Sequence, residues 1–358
     1  MTVGSTGDRL APTWPELLSH VIAGDDLTAE QTAWAMDQVM TDQTTPGVLA
    51  GFLVGLATKG ETVEEVRGLA DAMLAHAEPI DVDGGGVVDV VGTGGDRMHT
   101  VNISTMASLV VAGAGVGVVK HGNRAASSSS GSADVLEALG VDLNLSVERV
   151  AQVYRDAGIT FCFATVFHPS FRFAGPTRRE LAVGTVFNIL GPLTNPARPG
   201  AGAIGVANAR AAPLVAGVLA VRGVSALVFR GRNGLDELSA TAVNDVWEVR
   251  DGEVVEHTVD AVDELGLTAV SVSELRGQDA GYNADVARRV LAGESGPARE
   301  AVQLNAAAAF VAQGSLPGTG PDGGTLVERL QAGLAHAARS VDSGAAAGVL
   351  DRWVALTR

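Results

Sequence analysis

Two glycine-rich turns, each followed by polar or cationic side chains, are the stretches of this sequence with the clearest chemistry. The first is Gly-Thr-Gly-Gly-Asp at residues 92–96, and the second is Lys-His-Gly-Asn-Arg at residues 120–124, which runs into serines 127–130. Glycine allows positive φ and lets backbone N–H groups approach a ligand closely. Lys120 and Arg124 add fixed positive charge, and the serine hydroxyls add donors. The combination predicts a site for a heavily phosphorylated small molecule.

The elements around these turns are two strand-turn-helix units. Apolar, β-branched runs at 87–91 and 116–120 have the length of buried strands. Asn102, Ser104 and Thr105 stand where a helix would begin, and the free N–H groups of a helix start attract anions. One glycine-rich turn is common in α/β proteins, but two such turns favour a binding site. The sequence contains neither G-x-x-x-x-G-K-[ST] nor a G-x-G-x-x-G followed by an acid about twenty residues later.

These motifs, with Asn-Ile-Ser-Thr at 102–105, resemble the signature of the anthranilate phosphoribosyltransferase family. The resemblance continues through residues 168–181 and 185–196, and it covers roughly residues 13–356. It implies an enzyme, a pentosyl-group glycosyltransferase of tryptophan biosynthesis. The expected reaction moves the phosphoribosyl group of phosphoribosyl pyrophosphate (PRPP) to the amine of anthranilate, giving N-(5-phosphoribosyl)anthranilate and pyrophosphate.

The resemblance also implies which residues bind the two substrates. It places anthranilate near Gly92, Asn123 and Arg178, and a guanidinium fork suits the substrate carboxylate. The alternative for Arg178 is a structural ion pair with Glu180. The residues that the resemblance assigns to PRPP are Gly92, Gly95, Asp96, Thr100, Asn102, Ile103, Ser104, Thr105, Lys120, His121, Gly122, Asn123, Arg124, Ala125, Ala126, Ser127, Ser128 and Ser132.

A metal ion is expected because pyrophosphate leaves with several negative charges, and Mg²⁺ with oxygen ligands is its natural counterion. The resemblance puts Mg²⁺ at Ser104, Asp236 and Glu237. The alternative for the two adjacent acids is a solvated turn. We interpret His121 and His168 as pocket wall or orienting groups, because an aromatic amine that attacks a cation-like ribose carbon needs little base assistance. Positioning and electrostatic stabilisation are then the main catalytic effects.

Two positions depart from the family pattern. Arg97 and Met98 follow the aspartate of the first turn, where the family often has glycine. Arg230 stands where the family commonly has histidine, just before the acidic pair. The arginine at 97 could stiffen the loop or add a phosphate contact.

Composition narrows the partners. The net charge is −16, from 25 Lys and Arg against 41 Asp and Glu, which argues against nucleic acid as the main partner. Cys162, the only cysteine, lies in an apolar run and is expected to be a buried structural thiol. The polar N-terminus lacks an apolar signal core, and no apolar run has the length of a membrane span. We therefore expect a cytoplasmic protein without a membrane partner.

The predicted fold class is α/β: a small helical N-terminal domain and a larger α/β domain with a mostly parallel central sheet, of nucleoside phosphorylase/phosphoribosyltransferase-like architecture. Capping boxes at 13–16, 28–31 and 62–65 predict helices over residues 13–77, after a disordered tail at 1–12. The resemblance adds about 175–200 to a helical domain at 13–80, leaving 87–174 and 201–358 for the α/β domain. It also implies an active site in the cleft and a homodimer through the helical domain.

The α/β region alternates strands with helices, which predicts a largely parallel sheet, and a glycine-rich joint at 81–86 is a candidate hinge. Gly140 is expected to end one helix and Ser146 to cap the next. Asp251-Gly252 predicts a hairpin turn. The predicted helices are 48–58, 133–139, 146–158, 211–222 and a helical region from 284, and the predicted strands are 159–164, 203–207, 225–229, 246–249 and 253–257.

Two other functions are alternatives. A pyrimidine nucleoside phosphorylase-like enzyme has similar architecture, but its glycine loop is longer before the aspartate and it lacks the segment found here at 168–181. A non-catalytic relative that binds nucleic acid would favour a basic groove and a broken acidic pair. Asp236 and Glu237 are both present and the chain is acidic, so the transferase is preferred.

Overall fold

In a computed structural model, the structure describes residues 11–125 and 130–358. The predicted tail therefore lies, over residues 1–10, outside the described part, as do Ala126, Ser127 and Ser128. The chain opens with a bundle of helices whose bounds are α1 Trp14–Ala23, α2 Ala29–Met40, α3 Pro46–Lys59 and α4 Val63–Ala75.

Helix caps decide where this bundle begins and ends. Thr28 accepts a hydrogen bond from the N–H of Gln31, and Thr62 accepts one from Glu65, so two of the predicted capping boxes are confirmed. The box predicted at Thr13 is wrong, because its side chain makes no cap hydrogen bond. Pro15 lies in that first turn and has no N–H, so one donor fewer needs a cap.

Glu65 links three helices of the bundle. Its side chain is fully buried. One carboxylate oxygen accepts the N–H of Leu27 at 2.9 Å, and the other accepts the N–H of Thr62 at 2.8 Å and the ammonium of Lys59 at 3.1 Å. The start of α2, the end of α3 and the start of α4 therefore meet on one carboxylate.

The sheet has seven strands in the order β3-β2-β1-β4-β5-β6-β7. Strands β1 to β5 run parallel, and β6 and β7 are antiparallel to their neighbours. The chain moves outward from β1 first to β2 and β3 and then, on the other side, to β4 and β5, so β1 and β4 flank a topological switch point. Ligands bind at the carboxyl ends of the strands at such a point. The strands are β1 Val87–Gly92, β2 Gly117–Gly122, β3 Ile159–Phe163, β4 Ala201–Gly205, β5 Ser225–Gly231, β6 Asn244–Arg250 and β7 Glu253–Val259.

Several strand ends differ from the prediction because pairing, not hydrophobicity, sets them. The run predicted at 116–120 forms β2 from Gly117, and the strand continues through the buried His121 to Gly122. Strand β4 begins at Ala201, opposite Val88, rather than at residue 203. The predicted hairpin turn is confirmed, with φ of 53° at Asp251 and 81° at the following glycine.

Helices cover both faces of the sheet. Gly140 and Gly158 end α6 and α7 in the left-handed conformation, and Ser146 caps α7 as predicted. The remaining helices are α5 Ile103–Gly113, α6 Ser132–Leu139, α7 Val147–Ala157, α8 Ala164–Phe167, α9 Gly175–Leu181, α10 Phe187–Leu190, α11 Ala211–Val221, α12 Ala280–Leu291, α13 Pro297–Gln313, α14 Leu326–Asp342 and α15 Ala345–Thr357.

Two large hydrophobic clusters form the core. On one face of the sheet, α5 and α13 pack on the strands, with α14 and α15 outside them. On the other face, α11 and the N-terminal bundle share one cluster with strand residues such as Ile204 and Val228. Segment 169–190 also packs on the bundle, since α9 contacts α3 and α10 contacts α4. The predicted α/β fold class with a helical N-terminal unit is confirmed.

Among the residues that the structure describes, none of the helices combines the length and the apolar character that a membrane crossing requires.

Gly68 and Gly47 give a matched test of the bundle packing. A Cβ at Gly68 of α4 would lie 2.2 Å from the carbonyl oxygen of Ala29 and 2.2 Å from the hydroxyl of Thr32, whereas a Cβ at Gly47 of α3 would meet nothing within 4 Å. We expect Gly68→Ala to lose about 1–3 kcal/mol of unfolding free energy by overpacking. Gly47→Ala should gain up to about 1 kcal/mol by lowering the entropy of the unfolded chain. Urea unfolding measures both, and a Gly68→Ala protein as stable as the wild type would contradict the α2–α4 contact.

Candidate active site

A cleft of about 380 Å³ opens at the carboxyl ends of β1 and β2 and is closed on its far side by residues of the 164–194 segment. The predicted site residues that line it are Gly92, Gly95, Asp96, Thr100, Asn102, Ser104, Lys120, His121, Gly122, Asn123, Arg124, Ala125, Ser132, Arg178, Asp236 and Glu237.

The loop after β1 has a backbone suited to anions. Gly94 and Gly95 have φ of 69° and 86°, and Arg97 and His99 have φ of 60° and 53°. Left-handed residues interspersed with ordinary ones turn successive N–H groups toward one side, which is the geometry of an anion-binding nest. The glycine turn is thus rich in left-handed residues, and phosphate binding by this turn stays a prediction.

The loop is also shaped by Asp236. A Cβ on Gly92 would lie 2.5 Å from the Asp236 carboxylate, and a Cβ on Gly205, at the end of β4, would lie 1.6 Å from the Asp236 carbonyl oxygen. Real Cβ atoms do not approach other atoms so closely. The obstacle at Gly205 is backbone, so that position requires glycine, whereas a Cβ at Gly92 would displace the Asp236 carboxylate. Gly92 thus makes room for the acidic pair as well as for a ligand.

Asp236 and Glu237 are each only 8% exposed, so they do not form a solvated turn. Asp236 accepts the N–H of Gly94 at 2.7 Å, and Glu237 accepts the N–H of Ser104 at 3.2 Å. The predicted anion site at the start of α5 thus holds a carboxylate of the protein itself. This joins the loop after β5 to the loop after β1 and to α5.

The acidic pair carries more negative charge than its surroundings balance. Burial raises the pKa of Asp236 to about 7, with a further contribution from the charge of Asp96. Burial and then the charge of Asp236 raise the pKa of Glu237 well above its usual range. The nearby ammonium of Lys120 donates to the carbonyl of Val90 and, at 3.3 Å, to the hydroxyl of Ser104. Burial lowers the pKa of Lys120 although neighbouring acids oppose this.

A divalent cation fits this imbalance. The two carboxylates and the Ser104 hydroxyl are oxygen ligands, which Mg²⁺ prefers, and Mg²⁺ commonly uses one or two carboxylates together with water and substrate phosphates. In the described part of the chain, no group of three or more His, Cys, Asp or Glu is arranged as a metal site. The protein groups therefore make a partial ligand set of the kind that a phosphorylated substrate completes.

Asp89 and Asn195 fix the floor of the cleft. Asp89 is 2% exposed and accepts the N–H of His121 at 3.1 Å and the amide of Asn195 at 2.8 Å. The same amide donates to the carbonyl of Val119 at 2.7 Å. Burial raises the pKa of Asp89 to about 6. The segment that returns from the helical side is thereby tied beneath β1 and β2.

The two cleft histidines hold the same segment. Nδ1 of His121 donates to the carbonyl of Gly191 at 3.0 Å, and Nε2 of His168 donates to the carbonyl of Thr194 at 2.8 Å. The ring centroids lie 5.1 Å apart. Burial, and then the charge of His168, lower the pKa of His121 to about 3, so this ring is neutral and a weak base. The geometry supports orienting roles for both rings.

Arg178 lies at the far end of the cleft and packs against two aromatic rings. Its guanidinium carbon lies 5.0 Å from the Phe171 ring centroid and 5.3 Å from that of Phe187. Burial lowers the pKa of Arg178. No ion pair joins it to Glu180 or to any other described residue. A desolvated, unpaired guanidinium beside flat rings suits a ligand that is both aromatic and a carboxylate.

The second motif is arranged differently from the prediction. The guanidinium of Arg124 donates to Glu137 at 2.6 and 2.8 Å and to Asp134 at 2.9 Å, so carboxylates of α6 hold it. The hydroxyl of Ser132 donates to the carbonyl of Asn123 at 3.3 Å. A phosphate on this loop would therefore share Arg124 with α6.

Some residues differ from the prediction or were missed. The side chains of Ile103 and Thr105 are 0% and 1% exposed and lie in the core, so only their backbone could serve a ligand. Arg230 lies on β5, outside the cleft. Sequence reasoning missed Phe171 and Phe187, although both belong to motifs that carried the family resemblance, because an aromatic residue in an apolar stretch has the pattern of a core residue.

Comparison with known proteins gives the same picture. The model of the glycosyl transferase family, a/b domain, matches residues 84–347, and that of the family's helical bundle domain matches residues 15–77. The chain is 61% identical over 358 residues to the anthranilate phosphoribosyltransferase of Arthrobacter sp. (strain FB24), covering 100% of each.

Solved structures agree. The crystal structure of anthranilate phosphoribosyltransferase from Thermus thermophilus is 41% identical, with a TM-score of 0.86 over 96% of this chain and 99% of that one. The Saccharomyces cerevisiae enzyme, in complex with PRPP and Mg, is 24% identical with a TM-score of 0.84, over 96% and 97% of the two chains, which shows a shared fold.

The low pKa of His121 predicts an acid-sensitive fold. The folded-state pKa of about 3 lies below the ordinary value of 6.5, so below pH 6.5 the unfolded chain takes up a proton that the folded chain refuses. Stability from this group is present at neutral pH and is lost as pH falls, by on the order of 2 kcal/mol between pH 7 and pH 4.5. In His121→Asn, the amide can still donate a hydrogen bond to the carbonyl of Gly191, but the side chain does not titrate. Its unfolding free energy should therefore fall less steeply over this range, and equal slopes in the two proteins would contradict the account.

Proposed function

The chain belongs to the anthranilate phosphoribosyltransferases, within the glycosyl transferase family whose two domain models it matches, and from this premise we propose how its own residues carry out the reaction. The enzyme transfers the phosphoribosyl group of PRPP to the amine of anthranilate, a step of tryptophan biosynthesis. The products are N-(5-phosphoribosyl)anthranilate and pyrophosphate. One observation carries the assignment of roles: a single cleft holds a glycine loop with a buried acidic pair at one end and a guanidinium on aromatic rings at the other.

Mg²⁺ is the proposed cofactor, with Asp236, Glu237 and Ser104 as its protein ligands. Support comes from the uncompensated charge of the buried pair and from the S. cerevisiae enzyme, whose structure was solved with PRPP and Mg. When bound, Mg²⁺ would offset the charge of pyrophosphate. The pyrophosphate end of PRPP then lies by the 92–96 loop and the acidic pair. We assign the 5′-phosphate to the second glycine turn, at 120–124, and to the N–H groups at the start of α5 other than that of Ser104, which Glu237 takes.

The aromatic end of the cleft is proposed to bind anthranilate. Arg178 pairs with the substrate carboxylate, while Phe171 and Phe187 contact the ring. Asn123 and Gly92 also line the cleft, and we propose that they lie along the path of the amine to the ribose. Fixing the amine against the anomeric carbon converts an encounter of two molecules into a reaction within one complex.

In the reaction, the anthranilate nitrogen forms a bond to the anomeric carbon as the bond to pyrophosphate breaks. The bonding electrons leave with pyrophosphate, and the nitrogen gives up one proton to solvent water. The neutral His121 and the buried His168 keep the wall of the cleft in place and act as positioning groups. Backbone N–H groups of the glycine loop and the ammonium of Lys120 stabilise the departing charge.

We also propose the extent of the helical domain and a cellular location. The helical domain comprises residues 13–80 and about 175–200, supported by the contacts of α9 and α10 with the bundle. A cytoplasmic location is supported by the free, buried thiol of Cys162. No nucleic acid or membrane partner is proposed.

A homodimer through the helical domain is proposed on the strength of exposed apolar side chains. Ile22 on α1 is 85% exposed, Val54 on α3 is 44% exposed, and Val183, just after α9, is 62% exposed. These elements adjoin, because α3 packs against both α1 and α9. An apolar surface of this kind commonly marks an interface.

Loss of anthranilate fluorescence tests the reaction and the acidic pair. We expect loss that requires enzyme, PRPP and Mg²⁺ together, and a decrease of at least about 100-fold in the rate for Asp236→Asn/Glu237→Gln. The exposed neighbours Asp263 and Glu264 are a matched pair, so Asp263→Asn/Glu264→Gln should keep the wild-type rate. A folded wild-type protein that leaves anthranilate unchanged would contradict the assignment of the transferase reaction. Full activity of the Asp236→Asn/Glu237→Gln variant would contradict the proposed metal site.

Sedimentation tests the dimer. The wild type should sediment at twice the mass of one chain, and Ile22→Glu/Val54→Glu should sediment as a monomer, because a charge buried without a partner is costly. Val255→Glu is the control, since Val255 on β7 is 50% exposed and lies away from the bundle. A monomeric wild type, or a double variant that stays dimeric, would contradict the proposed interface.

A further inference from the structure

Arg97 is a cation at the mouth of the cleft that the roles described so far do not use. It follows Asp96 directly, is exposed, and lines the cleft. Its φ is 60°, in the left-handed region that favours glycine. An L-residue with a Cβ costs free energy there. An arginine in such a place requires a reason.

The surrounding loop, not the arginine side chain, fixes this conformation. The carboxylate of Asp96 accepts the N–H of Met98 at 3.0 Å. The carbonyl of His99 accepts the N–H of Gly277 at 2.8 Å, and Thr100 forms a β-bridge with Arg276. The guanidinium of Arg97 makes no hydrogen bond or ion pair with any residue that the structure describes. Neither packing nor a protein partner explains why an arginine occupies this left-handed position.

The other cations of the cleft are already held. Lys120 is buried and donates to Val90 and Ser104. Arg124 is held by two carboxylates of α6, and Arg178 lies on aromatic rings at the far end. Within the described residues, Arg97 is thus the exposed cation of the cleft that is left for an incoming anion.

Three acidic side chains lie close together at this loop. Asp96 and Asp236 approach closely enough to raise the pKa of Asp236, and Glu237 lies beside them. PRPP is itself strongly anionic, so these acids oppose its approach. An exposed guanidinium at the edge of the loop counters that field and can donate to phosphate oxygens.

We propose that Arg97 binds the pyrophosphate group of PRPP, and that its strained backbone is retained for this contact. The inference rests on the function proposed above, because the pyrophosphate end is assigned to the loop and the acidic pair. Removal of Arg97 should weaken the binding of PRPP and of pyrophosphate. The binding of anthranilate and of the 5′-phosphate end should not change.

Steady-state kinetics with Mg²⁺ separates these effects. Arg97→Gly and Arg97→Gln should raise KM for PRPP about tenfold, and Arg97→Lys should raise it less, since a charge remains. The inhibition constant of pyrophosphate should rise by a similar factor. KM for anthranilate and the inhibition constant of ribose 5-phosphate should stay near the wild-type values.

Arg198→Gly is the matched control. Arg198 is also an exposed arginine with positive φ, 48°, and it does not line the cleft. Both glycine variants should raise Tm, because both relieve a left-handed L-residue. Only Arg97→Gly should change KM for PRPP.

An unchanged KM for PRPP in both Arg97→Gly and Arg97→Gln would overturn the inference. An equal rise in KM for anthranilate would also overturn it, since that result indicates a disturbed loop. Titration calorimetry measures the affinity for PRPP, in the presence of Mg²⁺, without relying on activity. It therefore distinguishes failure of the Arg97 proposal from failure of the proposed function. An inactive wild type whose PRPP affinity still depends on Arg97 would overturn the transferase reaction and keep the role of Arg97. A wild type that binds no PRPP would overturn both.

Discussion

The burial of two adjacent carboxylates, Asp236 and Glu237, is the constraint on which the rest of this site depends. Their charge is only partly offset by Lys120, and their pKa values are raised because water is excluded. They persist in this position because the loop after β1 and the start of α5 donate N–H groups to them. The protein thus holds two oxygen ligands whose ionised forms are stabilised by a cation that arrives with an anionic substrate.

This constraint extends into the backbone. Asp236 fits only because Gly92 and Gly205 lack a Cβ, and these glycines end the two strands that flank the switch point of the sheet. On the other side of β1, Asp89 and Asn195 tie down the segment that carries the aromatic end of the cleft. Buried polar contacts therefore fix the distance between the two proposed substrate subsites. The shared hydrophobic core of the bundle and the sheet supports the same geometry.

Much of this was accessible from the sequence, because the strongest signals were local. Glycine turns after apolar runs, threonine and serine caps, and the Asp251-Gly252 hairpin depend on a few neighbouring residues. The fold class and the cleft residues followed from these signals and from the family resemblance. The roles of the individual site residues remain predictions, to be decided by experiment.

What the sequence could not reveal depends on contacts between distant residues. The need for glycine at 205 comes from a carbonyl thirty-one residues later, at Asp236. The pairing of Arg124 with α6 is set by tertiary packing, as are the core positions of Ile103 and Thr105 in a motif predicted to bind a ligand. Arg97 was visible as a departure from the family pattern, but only the positive φ shows that its presence has a cost.

The most direct test of the central claim is an anomalous difference map from crystals soaked with Mn²⁺, in place of Mg²⁺, and PRPP. The account predicts a peak bounded by the carboxylates of Asp236 and Glu237 and the hydroxyl of Ser104, with pyrophosphate oxygens completing the coordination. A peak away from these residues, or PRPP bound in the cleft with no metal beside the acidic pair, would contradict it.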